Sequence, residues 1–212
     1  MVVRLDADDP VEVEQAAAQL TAGMVVAIPT DTVYGLAVDP RQPGGVDRIF
    51  ALKRRPGEVA LPVLVAGWDQ VEVVAGTLEP AAQDLADRFW PGPLTLVVPR
   101  AVGFGADLGG PAGPRRTVGV RWPDHPVVRA LCAEVGPLAV TSANRHGKPP
   151  ATLAQEVIAV FSVDDRLSAV VDGGVCDGVP STVVECRGEE AWCLRRGGIP
   201  WSGPMHPPGA PG

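Results

Sequence analysis

The sequence predicts an α/β protein in which one mixed β-sheet carries helices packed on it. Short apolar runs rich in β-branched residues, such as Val25–Ile28 and Leu138–Thr141, have the length and content of buried strands. Between them lie segments whose apolar residues recur at helical spacing, as on one face of an amphipathic helix. The two kinds follow one another as α-β-α-β-α-β-β-α-β-α-β-β-β, the order of a mixed sheet with flanking helices. The 212 residues suffice for one domain of ordinary size, and no long linker separates two periodic halves.

Asp9-Pro10 opens the first helix and Gly23 closes it, with Val13, Ala16, Ala17 and Leu20 on one face. The strand Val25–Ile28 stops at Pro29, which cannot donate to a ladder. A polar turn follows, then Gly35 and a second apolar run. Gly44 to Lys53 reads as a helix with Val46, Ile49 and Phe50 turned inward, and Leu61 to Ala66 as a strand. Pro80 to Phe89 is a helix striped by Ala82, Leu85 and Phe89. Trp90-Pro91-Gly92-Pro93 makes a rigid turn into the strand Leu94–Val98. Ala101 to Pro114 is Gly- and Pro-rich and reads as a mobile segment. Thr117 to Arg121 is a strand ending on a charge, Pro126 to Val135 a helix, and Leu138 to Thr141 a strand. After a polar loop, Thr152 and Gln155 form a capping box for the next helix. Ser168–Val171, Thr182–Cys186 and Ala191–Leu194 are the last strands. Residues 1–199 make up the folded domain. The Pro- and Gly-rich residues 200–212 are expected to be a disordered tail.

The composition is 46% hydrophobic and 20% charged, ordinary for a folded chain. No apolar run approaches membrane-spanning length and no basic-then-apolar leader opens the chain, so a soluble cytoplasmic protein is expected. A net charge of −7 argues against bulk attraction to nucleic acid or an anionic membrane, while leaving room for a local basic cleft. The cations are nearly all arginine, with Lys53 and Lys148 the only lysines. Cys132, Cys176, Cys186 and Cys193 form no C-x-x-C pair and do not cluster with His125, His146 and His206. Neither a zinc site nor a disulfide framework is expected; the thiols read as buried or half-buried.

Several strand ends carry the same cargo. Thr30, Asp31, Thr32 and Tyr34 follow the first strand, at the end where open α/β sheets place ligands. Lys53 and Arg55 precede the second strand, and Arg121 ends a later one. Ser142 and Asn144 follow Leu138–Thr141, Ser181 and Thr182 open a late strand, and Arg195-Arg196-Gly197-Gly198 closes the last. Each has a plain alternative. Thr and Asp in a tight connection bond to their own backbone. Lys53 and Arg55 suit a solvated helix end. Arg121 and Arg195 could be surface ion-pair partners or snorkel. Together, however, they form one polar, cationic basin at one end of a sheet. Guanidinium groups match phosphates and carboxylates bidentately, and a lysine adds a point charge. That inventory suits a nucleoside triphosphate with a small polar co-substrate. The chain lacks a Walker loop, a dinucleotide glycine fingerprint and a Ser-His-Asp or Cys-His set. Its chemistry would rest on positioning and charge stabilisation.

These residues resemble the YrdC-like family of threonylcarbamoyl-AMP synthases (TsaC type, single-domain). The resemblance runs from about Ala22 to Ile199. It rests on Pro29-Thr30-Asp31-Thr32-Val33-Tyr34-Gly35, the K-x-R-P of Lys53, Arg55 and Pro56, and Phe89-Trp90-Pro91-Gly92-Pro93-Leu94-Thr95. It continues through Val118-Gly119-Val120-Arg121, Ser142-Ala143-Asn144 with Gly147-Lys148-Pro149, Asp172-Gly173-Gly174, Ser181-Thr182-Val183-Val184 and Leu194-Arg195. It implies an open twisted sheet with a large concave, cationic cavity. It also implies the reaction of L-threonine, bicarbonate and ATP to threonylcarbamoyl-AMP and pyrophosphate, a nucleotidyl transfer that begins t⁶A synthesis at position 37 of tRNA. The product would pass to the tRNA threonylcarbamoyl transferase complex, with weak tRNA binding expected. Mg²⁺ would accompany ATP without dedicated protein ligands.

By the same resemblance Lys53, Arg55, Ser142 and Asn144 are the catalytic residues. Thr30, Thr32, Tyr34, Arg121 and Ser181 would hold threonine, with Arg121 on its carboxylate. Arg55, Thr117, Ser142, Asn144, Thr152 and Arg195 would hold ATP. Val59, Ala60 and Leu64 stand where many members carry Asn, Pro and His, and Arg196 stands where they carry proline. The chain has no counterpart of the longer relatives' additional C-terminal domain, and the Gly103–Gly113 segment is a candidate lid in its place. A different class of function is an RNA-binding module on the same face, which predicts salt-steep binding without ATP. The acidic charge and scarce lysine count against it. A third reading, a purely assembling domain, predicts no small-molecule binding.

Overall fold

The computed structural model describes residues 2–54, 59–110 and 117–206. In chain order the elements are β1 (Val3–Asp6), α1 (Pro10–Thr21), β2 (Val25–Ile28), β3 (Gly35–Val38), α2 (Gly45–Lys53), β4 (Val63–Leu64), α3 (Trp68–Ala75) and α4 (Pro80–Phe89). Then come β5 (Leu94–Pro99), β6 (Thr117–Arg121), α5 (Pro126–Val135), β7 (Leu138–Ser142), α6 (Ala154–Phe161), β8 (Leu167–Asp172), β9 (Thr182–Arg187) and β10 (Glu190–Arg195). The strands form one open sheet in the order β1-β8-β2-β3-β7-β4-β6-β5-β9-β10. It is mixed: β1, β8 and β2 run parallel, β3 and β7 pair antiparallel, and β5 joins β9 in parallel.

The uninterrupted apolar runs are explained by burial on both faces of the sheet. In β2, Val25 and Ala27 face one core while Val26 and Ile28 face the other. The first core takes the inner faces of α2, α3, α4 and α6. The second takes Ala16, Ala17 and Leu20 of α1 and Val127, Val128, Leu131 and Cys132 of α5. Fully buried leucines such as Leu20 and Leu131 each contribute about 1.5–3 kcal/mol of transfer free energy.

Three elements escape the sequence pattern. Strand β1 is an edge strand that buries only Leu5, so it has no apolar run. Strand β3 pairs antiparallel with β2 through Ile28–Gly35 and merges in sequence with the polar turn. Helix α3 is two turns long and shows only Val71, Val74 and Ala75 to the core. Conversely, the Leu61–Ala66 reading shortens to β4, because Leu61 N bonds to Leu108 O outside the ladder. At α6 the capping acceptor is Glu156, not Gln155: its Oε2 accepts from the backbone N–H of Thr152 at 2.7 Å and of Leu153 at 3.3 Å. Residues 201–206 are not a loose tail. Cys193 N–H donates to Pro204 O, and Cys193 and Met205 bridge in parallel. Residues 207–212 lie outside the described residues.

All four cysteines are free and buried. Burial pushes the Cys132 and Cys186 thiols up to about 12. Among the described residues no helix is long and apolar enough to cross a membrane.

Candidate active site

The β2–β3 connection begins where Pro29 stops the ladder. Thr30 folds it: its Oγ1 accepts from the N–H of Thr32 at 3.0 Å and of Val33 at 3.2 Å, and donates to Val33 O at 2.8 Å. The self-bonded turn is thus real, and it also presents Thr32. Thr32 Oγ1 lies 2.9 Å from Thr30 Oγ1 and accepts from Arg121 Nη1 at 2.9 Å. Tyr34 is fully buried, and its hydroxyl donates to Gly174 O at 2.9 Å and accepts from Gly173 N at 3.2 Å. It pins the Asp172-Gly173-Gly174 turn after β8. Burial pushes its phenol up to about 12, so it stays neutral.

Arg121 ends β6 and is 6% exposed. Its Nε donates to Gly92 O at 3.0 Å, Nη1 to Thr32, and Nη2 to Asp31 Oδ1 at 2.5 Å. A guanidinium has five N–H groups. Among the described residues three are engaged, so one remains on each terminal nitrogen, which is what a carboxylate needs for two parallel bonds. Burial lowers the pKa of Arg121, and the adjacent Asp31 opposes that by favouring the charged form.

Across the hollow, Arg195 at the end of β10 donates from Nη2 to Ser181 O at 2.9 Å and to Ser181 Oγ at 3.1 Å. Ser181 Oγ also lies 2.8 Å from Thr95 Oγ1 of β5. Burial lowers the pKa of Arg195. Among the described residues no carboxylate pairs with it and Nη1 has no acceptor.

These groups line one cavity of about 1090 Å³. Thr30, Thr32 and Tyr34 come from the β2–β3 connection, Thr117 and Arg121 from β6, Ser142 from β7, and Ser181 and Arg195 from the β9–β10 side. Lys53, Asn144 and Thr152 do not line it. Lys53, 3% exposed, donates from Nζ to Ser142 O at 2.5 Å, Asn144 O at 2.8 Å and Asn144 Oδ1 at 3.0 Å. Asn144 Oδ1 also accepts from Ser142 Oγ at 2.6 Å, and its Nδ2 donates to Arg145 O and Lys148 O. Thr152 Oγ1 donates to Glu156. Arg55 lies outside the described residues.

The sequence left Thr95, Arg100 and Asp31 without roles. Thr95 reads as the interior of a strand, and Asp31 as a turn residue. Arg100 ends β5 as Arg121 ends β6, a signal that was available. Arg100 donates from Nε to Phe104 O at 2.8 Å and from Nη2 to Ala106 O. Leu61 N bonds to Leu108 O at 2.8 Å, Phe104 and Leu108 are buried, and residues 105–110 line the cavity. Val59, Ala60 and Leu64 also line the cavity, making that side apolar.

The family model Sua5_yciO_yrdC, described as telomere recombination, matches residues 18–197. The chain belongs to the Sua5–YciO–YrdC family. It is 42% identical over 200 residues to the threonylcarbamoyl-AMP synthase of Bacillus subtilis, covering 92% of this chain and 56% of that protein. It is 35% identical over 204 residues to a putative threonylcarbamoyl-AMP synthase of Mycobacterium tuberculosis, covering 94% and 92%. Pyrococcus abyssi Sua5, solved in complex with L-threonine, superposes with a TM-score of 0.81 at 35% identity, covering 94% of this chain and 58% of that one. The chain therefore spans little more than half the length of two of the Sua5–YciO–YrdC relatives it matches.

Proposed function

We propose that this chain is a threonylcarbamoyl-AMP synthase, converting L-threonine, bicarbonate and ATP to threonylcarbamoyl-AMP, pyrophosphate and water. The observation that carries the reading is a pair of arginines, the buried Arg121 and the more exposed Arg195, which reach one cavity with donors uncommitted among the described residues. The L-threonine bound by the P. abyssi relative and the activity named for the B. subtilis relative support the choice of substrates.

In this reading Arg121 takes the threonine carboxylate on its two remaining N–H groups, with Thr32 fixing the ring of donors. Each charge-assisted contact contributes about 1.5–3 kcal/mol. Ser181 and Thr95 offer hydroxyls beside it. Arg195 takes a phosphate on Nη1, and Thr117 and Ser142 border the nucleotide. Lys53 and Asn144 hold the end of β7 in place, which sets the position of Ser142. By family resemblance Arg55 joins the phosphate contacts. The threonine amine attacks the carbon of CO₂ or bicarbonate, losing a proton. A carbamate oxygen then attacks the α-phosphorus and pyrophosphate leaves with the P–O bonding pair. Three arginines and Asp107 are the charged groups on the described lining, so a cationic cavity is part of the proposal. Mg²⁺ would enter on the triphosphate and offset part of its charge. Among the described residues no group of three or more His, Cys, Asp or Glu side chains is placed to hold a metal. Transfer to tRNA would be the work of a separate cytoplasmic complex, with at most weak tRNA binding here.

Pyrophosphate release tests the reading. With Mg²⁺ supplied, release from ATP should require both L-threonine and bicarbonate. No release under those conditions refutes it.

A further inference from the structure

Behind Arg121 lies a polar layer that the proposed reaction does not use. Asp31 Oδ2, Trp122 Nε1 and His125 Nδ1 are buried and have no hydrogen-bond partner among the described residues. None of these three residues lines the cavity. Of the three, Asp31 contacts Arg121 directly. Asp31 grips its Nη2 at 2.5 Å, with side chains only 7% and 14% exposed. Trp122 follows it in the chain, and its carbonyl accepts from Gly92 N–H at 2.9 Å while Gly92 O accepts from Arg121 Nε. His125, three residues further, sits in the electrostatic field of Asp31.

We propose that Asp31 is a positioning residue that holds the Arg121 guanidinium in the plane that receives an amino-acid carboxylate. The proposal rests on the carboxylate role of Arg121 given above. A guanidinium this far from water stays charged, and a fixed anion beside it offsets that buried charge and fixes its direction. A carboxylate on one terminal nitrogen and a threonine hydroxyl on the other leave the remaining pair of N–H groups aimed one way. The opposite effect is also physical: Asp31 offsets the charge of Arg121, so removing it could strengthen anion binding. The two effects have opposite signs, and positioning requires the first to win.

The test is calorimetric titration of L-threonine, and separately of ATP, into the full chain at pH 7.5. Wild type, Asp31→Asn and Asp31→Glu are compared. Asp31→Asn should weaken threonine binding at least tenfold and change ATP affinity less than twofold, and Asp31→Glu should recover part of the loss. Unchanged or tighter threonine binding in Asp31→Asn overturns the positioning role. Where Asp31→Asn does not fold, Asp31→Glu decides: threonine binding weakened several-fold with ATP affinity kept supports the role, and threonine binding equal to wild type overturns it. A wild type that binds no threonine removes the functional reading itself, a distinct result.

Discussion

Two buried cations, Lys53 at the end of α2 and Arg121 at the end of β6, differ in what their donors do. Lys53 has three N–H groups, and Ser142 O, Asn144 O and Asn144 Oδ1 accept from it. Arg121 has five, with three engaged by Gly92, Thr32 and Asp31. Both are almost completely buried. Burial alone therefore does not separate a scaffold cation from a ligand-binding one; the number of donors left over does. Lys53 ties α2 to the end of β7, while Arg121 and Arg195 keep N–H groups for something that enters the cavity.

The sharpest way to break that contrast is Lys53→Met. It removes three charge-assisted hydrogen bonds and leaves Asn144 O without that donor, and should cost about 3 kcal/mol, or roughly 6–12 °C in Tm for a chain of this size, measured by circular dichroism. A variant that melts like wild type would show that Lys53 is no staple. Next in size is Gly197→Ala. A Cβ there would strike Pro180 O and lie 2.5 Å from Ser181 O. The backbone under Ser181 must move, at a cost of about 2 kcal/mol and with weaker substrate binding, checked by melting and calorimetry together. Arg195→Met should do the reverse of Lys53→Met: a loss of stability of about 1 kcal/mol or less, and a loss of ATP affinity of about tenfold, or about 1.4 kcal/mol.

A smaller effect concerns acid. Burial raises the Asp39 pKa, but hydrogen bonds from Arg41 outweigh it, so the folded value is depressed. Asp172 is depressed in the same way: burial raises its pKa, and the Gly174 N–H and Arg4 outweigh that. A depressed carboxylate stabilises the fold above its unfolded pKa of about 3.9 and ceases to do so as the pH falls through the folded value. The contribution of these two carboxylates to Tm should be constant down to about pH 5 and be lost below about pH 4. The smallest effect is chemical. Native Cys132 and Cys186, buried with thiols pushed up to about 12, should resist a thiol reagent at pH 8 until the chain unfolds.

Most of the architecture was legible because burial on both sheet faces writes itself as apolar runs. Pro80–Phe89, Thr117–Arg121 and Pro126–Val135 begin and end where the sequence predicts. β1 was not legible because an edge strand with a single buried leucine has no pattern to read. At the site, residue types at strand ends pointed to the cavity. What sequence could not supply was direction. Ser142 and Asn144 are two residues apart, yet Ser142 lines the cavity and Asn144 turns its amide onto Arg145 O and Lys148 O. Asp31 lies between two cavity threonines and faces the other way, onto Arg121. Alternation along a tight turn decides such cases, and it is set by hydrogen bonds that only the folded chain reveals.

The most direct measurement is a crystal structure of the chain with L-threonine and a non-hydrolysable ATP analogue. The account predicts both ligands in the one cavity, with the amino-acid carboxylate on the Nη atoms of Arg121 and a phosphate on Arg195. Threonine bound elsewhere, or bound with its carboxylate away from Arg121, would contradict it.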